Sequence, residues 1–234
     1  MDSIQRRGFI GRMIGAASAF GVALASPRAA AAQAPAADAW LKDVRGPHRC
    51  FFDIPKHLNG AGLLHILNYV STYSAAYKAA PGQVGVVSSF YGIGPGASIS
   101  LAFNDAMWAK YGLSEYTGLK DATGKPYARN PFHRPTANEL HLLMQAMQTP
   151  TIPMFAGAMP ALGIESLQKM GTTFLVCGNA LGAWCGELEA RGKGTAADLQ
   201  KELTANLLPG VTLVPAMVIA IEQAQNAGIA YNRQ

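Results

Sequence analysis

Residues 171–186 have the sequence GTTFLVCGNALGAWCG, which contains the clearest structural pattern of this chain. Residues 172–176 form a short apolar run after a glycine, as is typical of a buried strand in a parallel sheet. Cys177, Gly178 and Asn179 then turn the chain, and the following residues predict a helix that continues to about residue 190. This strand–turn–helix unit predicts that Cys177 lies at the carboxyl end of a strand.

The position of Cys177 supports two interpretations. Open α/β sheets place their sites at the carboxyl ends of strands, and a helix N-terminus favours a thiolate because its N–H groups lack intrahelical partners. In this interpretation, the backbone N–H groups of Gly178 and Asn179 stabilise an anionic sulfur, and the Asn179 side chain adds a donor. In the other interpretation, Cys177 is a small buried apolar residue, which is the usual environment of a free cysteine.

Strands and helices alternate along the rest of the chain. Apolar β-rich runs predict five strands, at residues 48–54, 84–90, 172–176, 211–214 and 229–231. Helical periodicity predicts helices at residues 61–79, 97–111, 135–148, 163–169, 180–190, 196–206 and 216–227. The alternation predicts an α/β fold with a doubly wound, mostly parallel five-stranded sheet.

An insert at about residues 112–170 separates the second predicted strand from the third. Residues 112–135 predict a long irregular loop, which in a compact domain is usually a functional flap or a subunit contact. His133 and His141 are eight residues apart, whereas metal ligands on a helix need a spacing of three or four. We therefore expect no metal site.

Residues 92–97, GIGPGA, match the spacing of a dinucleotide-binding loop between a strand and a helix. However, Pro95 has no N–H group to offer to a phosphate. Glu115 lies beyond the predicted helix rather than at the end of a following strand. We therefore interpret this segment as a tight glycine-rich turn and expect no cofactor.

The first 34 residues predict an export signal. Arg6 and Arg7, with Phe9 shortly after them, resemble the twin-arginine consensus. Residues 13–25 are apolar but too short and too weakly hydrophobic for a transmembrane helix, and an alanine run follows. We expect residues 1–34 to be a signal peptide with its cleavage region, and residues 35–234 to be a periplasmic domain without a membrane span.

The formal charge of +5 is concentrated in this predicted signal. Beyond it, 15 basic residues face 13 acidic ones, a balance too even to predict nucleic-acid binding. The chain has three cysteines, Cys50, Cys177 and Cys185, so at least one thiol has no partner within the chain. Cys177 and Cys185 would lie about 12 Å apart along a helix, which is beyond disulfide reach.

Several segments resemble a known family. Residues 174–181 (FLVCGNAL), 208–215 (LPGVTLVP) and 223–228 (QAQNAG) resemble the C-terminal half of DsrE/DsrF-like proteins. Residues 102–111 and 121–132 resemble a twin-arginine-exported branch of the same family. Together these segments extend the resemblance over most of the predicted mature domain.

The resemblance implies a flavodoxin-like three-layer α/β sandwich that often assembles into trimers or hexamers. We expect a cyclic homo-oligomer, with a trimer favoured. The resemblance also implies that Cys177 accepts sulfane sulfur as a persulfide. We therefore expect a periplasmic sulfur-handling thiol protein, at most a carrier or sulfurtransferase-like, that passes sulfur to an acceptor thiol. The alternative is a non-catalytic oligomeric module that binds a small ligand and in which Cys177 is buried and inert.

Overall fold

Five parallel strands form the central sheet of residues 37–234, the part of the chain that the computed structural model describes. The strands are β1 (His48–Asp53), β2 (Val84–Phe90), β3 (Thr172–Cys177), β4 (Val211–Val214) and β5 (Ala230–Arg233). Their order in the sheet is β4-β3-β2-β1-β5, and every neighbouring pair is parallel. The predicted five-stranded sheet is confirmed, while the predicted export signal lies outside the described residues.

Helices cover both faces of this sheet. They are α1 (Ala61–Ala76), α2 (Asp105–Tyr111), α3 (Leu113–Thr117), α4 (Leu140–Met147), α5 (Ile164–Lys169), α6 (Gly178–Ala190), α7 (Ala196–Ala205) and α8 (Met217–Asn226). Short 3-10 helices occupy Ala39–Lys42, Leu58–Gly60, Ser98–Ala102, Ala137–Glu139 and Pro153–Leu162. The expected flavodoxin-like α/β sandwich is confirmed. None of the helices in residues 37–234 is long and apolar enough to cross a membrane.

The strand order distributes the helices unequally between the two faces. The chain steps from β1 to β4 through adjacent strands, so right-handed connections place α1 to α7 on one face. The return from β4 to β5 at the opposite edge places α8 on the other face. Alternate strand residues then point to opposite sides: Phe52, Phe90 and Phe174 join a large core on the α6 face, and their neighbours join a smaller core under α8.

The topological switch point of the sheet lies between β3 and β4, and we call it the β3–β4 crevice. The helix that follows β3 is α6 and the helix that follows β4 is α8, and the two helices leave toward opposite faces. Ligand sites of open α/β sheets lie at such a point, outside the carboxyl ends of the strands. Cys177, the last residue of β3, pairs with Val214 of β4 and therefore lies at this crevice.

The predicted helix over residues 97–111 is wrong in its first half. Ser98–Ala102 is a 3-10 helix, and Phe103 is extended, with φ −103° and ψ 150°, and bridges to Leu207. Asn104, rather than Ser98, caps the α-helix, because its side chain accepts the N–H of Met107 at 3.2 Å. The predicted loop over residues 112–135 contains α3, so the insert is more ordered than its composition indicates.

A candidate thiol site at the β3–β4 crevice

The sulfur of Cys177 lies between the first turns of two helices. It accepts a hydrogen bond from the N–H of Ala180 in α6 at 3.4 Å and another from the N–H of Met217, the first residue of α8, at 3.3 Å. Both donors belong to helix N-termini, where N–H groups lack intrahelical partners and the helix dipole is positive. The crevice therefore offers a stabilising environment for a negatively charged sulfur.

Gly178 makes this approach of the two helices possible. A Cβ atom at this position would lie 3.1 Å from the carbonyl oxygen of Val214 and 3.2 Å from that of Pro215. The N–H of Asn179 donates to the same Pro215 oxygen at 3.1 Å. The turn after β3 is thus fastened to the turn after β4, which brings the N-terminus of α8 to the sulfur.

The donors at the sulfur differ from those that the sequence predicted. Ala180 and Met217 supply them, in place of Gly178 and Asn179. The Asn179 side chain is exposed and forms no hydrogen bond with any other described residue. Nothing in the local sequence pointed to Met217, because 40 residues separate it from Cys177.

Cys177 itself is nearly covered. Only 6% of its surface is exposed, and it packs with Leu175, Val214 and Met217 in the core under α8. Its neighbour Gly178 is half-buried. Access to the sulfur is therefore narrow, and a bulky reactant needs a local opening of the crevice.

The other two cysteines have ordinary core environments. Cys50 and Cys185 are 5% and 0% exposed and belong to the core of the α6 face. Burial raises the pKa of each thiol to about 11. All three cysteines are free. The chain therefore combines one thiol held by two backbone donors with two thiols that burial keeps protonated.

A buried carboxylate lies at the same edge of the sheet, and the sequence did not reveal it. Asp53, the last residue of β1, is 2% exposed. Its side chain accepts hydrogen bonds from the hydroxyls of Ser89 at 2.9 Å, Tyr91 at 3.3 Å and Tyr231 at 2.7 Å. Three hydroxyl donors compensate for the loss of water around this carboxylate.

Strand register relates this carboxylate to the thiol. Phe90 pairs with Val176, so Tyr91 follows β2 at the position beside Cys177 on β3. Tyr91 also packs against the core that contains Cys177. Burial, and then the negative charge of Asp53, raises the pKa of Tyr91. Burial, and then the hydrogen bond to Asp53, raises the pKa of Tyr231 to about 12. Tyr91 therefore stays neutral at physiological pH, with its hydroxyl donated to Asp53.

The structure also shows where the other candidate motifs lie. The N–H of Gly94 donates to the hydroxyl of Tyr116 at 2.7 Å, so the glycine-rich segment uses this group within the protein rather than presenting it to a phosphate. The ring nitrogens of His141 contact the carbonyl oxygens of Asn138 and Lys120, both at 2.9 Å. Within residues 37–234, no three His, Cys, Asp or Glu side chains come together as a metal site.

No protein-family model, curated protein or solved structure matches this chain. The case for the thiol site therefore rests on its own geometry: a strand-end cysteine, in a crevice of the sheet, with the N-termini of α6 and α8 directed at its sulfur.

Proposed function

We propose that this chain is an exported sulfur-handling protein of the DsrE/DsrF-like type, in which Cys177 carries sulfane sulfur as a persulfide. The observation that carries the proposal is the pair of hydrogen bonds from Ala180 and Met217 to the sulfur. Two backbone donors stabilise a thiolate before sulfur uptake and again after sulfur release. Neither Cys50 nor Cys185 has such an environment.

The chemistry needs no external oxidant or reductant. The Cys177 thiolate attacks the outer sulfur of a persulfide donor, R–S–SH. A new S–S bond forms at Cys177 while the S–S bond of the donor breaks, and the donor leaves as the thiolate R–S⁻. An acceptor thiolate then attacks the outer sulfur of the Cys177 persulfide, takes it over, and regenerates the Cys177 thiolate.

The site favours a carrier over a fast enzyme. A nucleophile of a rapid transferase usually has an adjacent general base, such as histidine. In the described residues, the sulfur of Cys177 has hydrogen bonds only with two backbone N–H groups. Tyr91, at the end of the neighbouring strand, is neutral, and its hydroxyl donates to Asp53, so it is not suited to remove a proton from the thiol.

A second candidate function is a non-catalytic small-ligand-binding oligomer with an inert Cys177. The observation that favours it is the 6% exposure of this residue. The two functions differ in one property, which is whether a small sulfane donor reaches the sulfur in the folded protein.

Export and assembly belong to the same proposal. Arg6 and Arg7 support twin-arginine export to the periplasm, and replacing both with lysine should leave the precursor in the cytoplasm.

Large apolar side chains are exposed at the β4 edge and the start of α8: Leu213 at 39%, Val218 at 74% and Ile219 at 50%. Exposed apolar patches commonly mark subunit contacts, which supports a cyclic homo-oligomer, with a trimer favoured. Light scattering that shows a monomer at micromolar concentration would contradict the assembly.

The decisive experiment is sulfur uptake by the folded protein. Purified protein is incubated with inorganic polysulfide, and intact and peptide mass spectrometry then locate any added sulfur. We expect one sulfur atom on Cys177 and its release to a small acceptor thiol. A Cys177→Ser variant should fold and take up no sulfur, whereas the matched Cys185→Ala variant should take it up normally. Uptake that is absent in the wild type, or that persists in Cys177→Ser, would overturn the carrier function.

A further inference from the structure

A second cavity lies away from the thiol, and it brings together two distant parts of the chain. It has a volume of about 530 Å³, and polar or charged residues from two segments, 104–106 and 129–136, form most of its wall. Phe103, just before the first segment, and Phe132, within the second, belong to the core of the α6 face. The cavity is therefore on the opposite side of the sheet from the core that holds Cys177. We call it the Arg129 cavity.

The guanidinium of Arg129 is held in a fixed orientation in this wall. It donates to Glu139 at 2.6 Å, and Glu139 is only 2% exposed. The other oxygen of that carboxylate accepts the N–H of Thr136 at 2.7 Å and its hydroxyl at 2.9 Å. The Tyr127 ring also contacts the guanidinium, whose central carbon lies 5.8 Å from the ring centroid. A guanidinium that is already ordered binds a carboxylate at a lower entropic cost.

A second guanidinium, that of Arg134, lines the same cavity. It is paired with Glu165 at 2.5 Å and is 69% exposed, so its remaining N–H groups are accessible. His133 lies next to it. Burial, and then the charge of Arg134, lowers the pKa of His133, so its ring is neutral at pH 7 and offers one donor and one acceptor. This ring forms no hydrogen bond with another described residue.

The cavity also contains one carboxylate oxygen that is open to a ligand. Asp105 accepts the N–H of Asn130 on Oδ1 at 2.9 Å. Its other oxygen, Oδ2, has no hydrogen bond with any described residue, and the residue is exposed. The wall therefore combines two guanidinium groups with an available carboxylate oxygen.

These charges favour a ligand that carries both signs. A simple anion would meet two guanidinium groups that are already paired with Glu139 and Glu165, and also the charge of Asp105. A simple cation would meet the two guanidinium groups. An α-amino acid places a carboxylate and an ammonium on one carbon, so it satisfies both kinds of group together. The volume is within the range of small-molecule sites and leaves room for a side chain.

We propose that the Arg129 cavity binds a free α-amino acid, with the ligand carboxylate at Arg129 and Arg134 and the ligand ammonium at Asp105. This site uses none of the residues of the Cys177 crevice. The proposal is therefore independent of the sulfur chemistry, and either can fail without the other.

Calorimetric titration of the full-length chain tests the proposal with four probes: glycine, L-alanine, acetate and methylammonium. Acetate carries only the carboxylate and methylammonium only the ammonium. We expect both amino acids to bind at least about tenfold more tightly than either fragment, because each charge-assisted contact contributes that order of affinity. Equal affinity for acetate and glycine would overturn the proposal in favour of an anion site. Absence of amino-acid binding would overturn it altogether.

Two variants locate the binding. Arg134→Gln changes an exposed side chain and should reduce glycine affinity about tenfold. Asp105→Asn keeps an acceptor for Asn130 but removes the negative charge, so it should abolish the preference for glycine over acetate. The control is Arg191→Gln, an exposed arginine that is paired with Glu187 outside this cavity. Equal losses in Arg191→Gln and Arg134→Gln would show that the binding is nonspecific and would contradict the site.

Discussion

The two faces of the sheet are covered by cores of different size, and the Cys177 thiol lies in the smaller core. On the α6 face, α1 to α7 build a core with stacked aromatic rings, such as Phe103 on Trp184, whose centroids are 5.3 Å apart. On the other face, α8 and the Ala39–Lys42 turn cover a core with fewer residues. The larger core excludes water and keeps Cys185 protonated, whereas Cys177, at a strand end where two helices begin, has two backbone N–H groups directed at its sulfur. The comparison indicates that one of the two donors at the thiol, the N–H of Met217, depends on the return of the chain from β4 to β5 rather than on the strand sequence.

The largest expected difference between the faces is thiol reactivity. At pH 7, a thiol with a pKa of about 11 is a thiolate in only about one molecule in ten thousand. We expect limiting iodoacetamide to label Cys177 at least about a hundredfold faster than Cys50 or Cys185, measured by peptide mass spectrometry over time. Faster labelling of either core cysteine in the folded protein would reverse the comparison and favour the inert-cysteine function.

Stability should depend more on the α6 face. Trp184 is completely buried among aromatic rings, so Trp184→Ala should lower the free energy of unfolding by about 3–5 kcal/mol. Met217→Ala on the other face should cost about 2 kcal/mol and, because the backbone donor remains while cover is lost, should speed labelling of Cys177. Urea denaturation measures both losses. Equal losses in the free energy of unfolding, or slower labelling of Cys177 in Met217→Ala, would mean that Met217 does not limit access to the thiol.

Alanine substitutions at two glycines of α6, Gly178 and Gly182, distinguish the effect of close contact at the crevice from the effect of helix propensity. Gly178→Ala places a Cβ against the Val214 and Pro215 carbonyl oxygens and should cost about 1–3 kcal/mol. Gly182→Ala meets no atom within 4 Å and should instead stabilise the helix by about 0.5–1 kcal/mol. Thermal unfolding of the pair checks both signs. A neutral Gly178→Ala variant with unchanged Cys177 labelling would show that the close approach of the two turns is dispensable.

Small effects are also expected at the hydroxyl donors to Asp53. Tyr231→Phe removes the 2.7 Å bond and should cost about 1–2 kcal/mol, whereas Tyr91→Phe removes the 3.3 Å bond and should cost less. The Tyr231 pKa rises from 10.0 to about 12 on folding, so its contribution is complete below pH 10 and is lost as the pH rises toward 12. The stability of Tyr231→Phe should fall less over that range than that of the wild type. Identical profiles would show that Tyr231 does not couple to Asp53.

Local patterns were sufficient for the architecture. Each strand was predicted to within a few residues, because an apolar β-rich run between turn residues requires only neighbours in sequence. The same holds for Cys177 at a strand end and for most helices. The prediction failed at residues 97–104, where extended backbone at Phe103 is stabilised by its bridge to Leu207 and its contact with Trp184. The helical periodicity of a segment depends only on its own residues, so it does not indicate contacts with residues that are distant in sequence.

The environments of the Cys177 thiol and of the buried Asp53 carboxylate depend on contacts between distant segments. Met217 reaches the thiol across 40 residues and Tyr231 reaches Asp53 across 178. The parallel register of the strands and the return of the chain through α8 bring these groups together. A hydrogen bond depends on the positions of its two groups in space and not on their separation in sequence. Residue type and spacing thus determined the α/β sandwich and the position of one cysteine at a strand end, whereas the tertiary structure decided which N–H groups stabilise its sulfur.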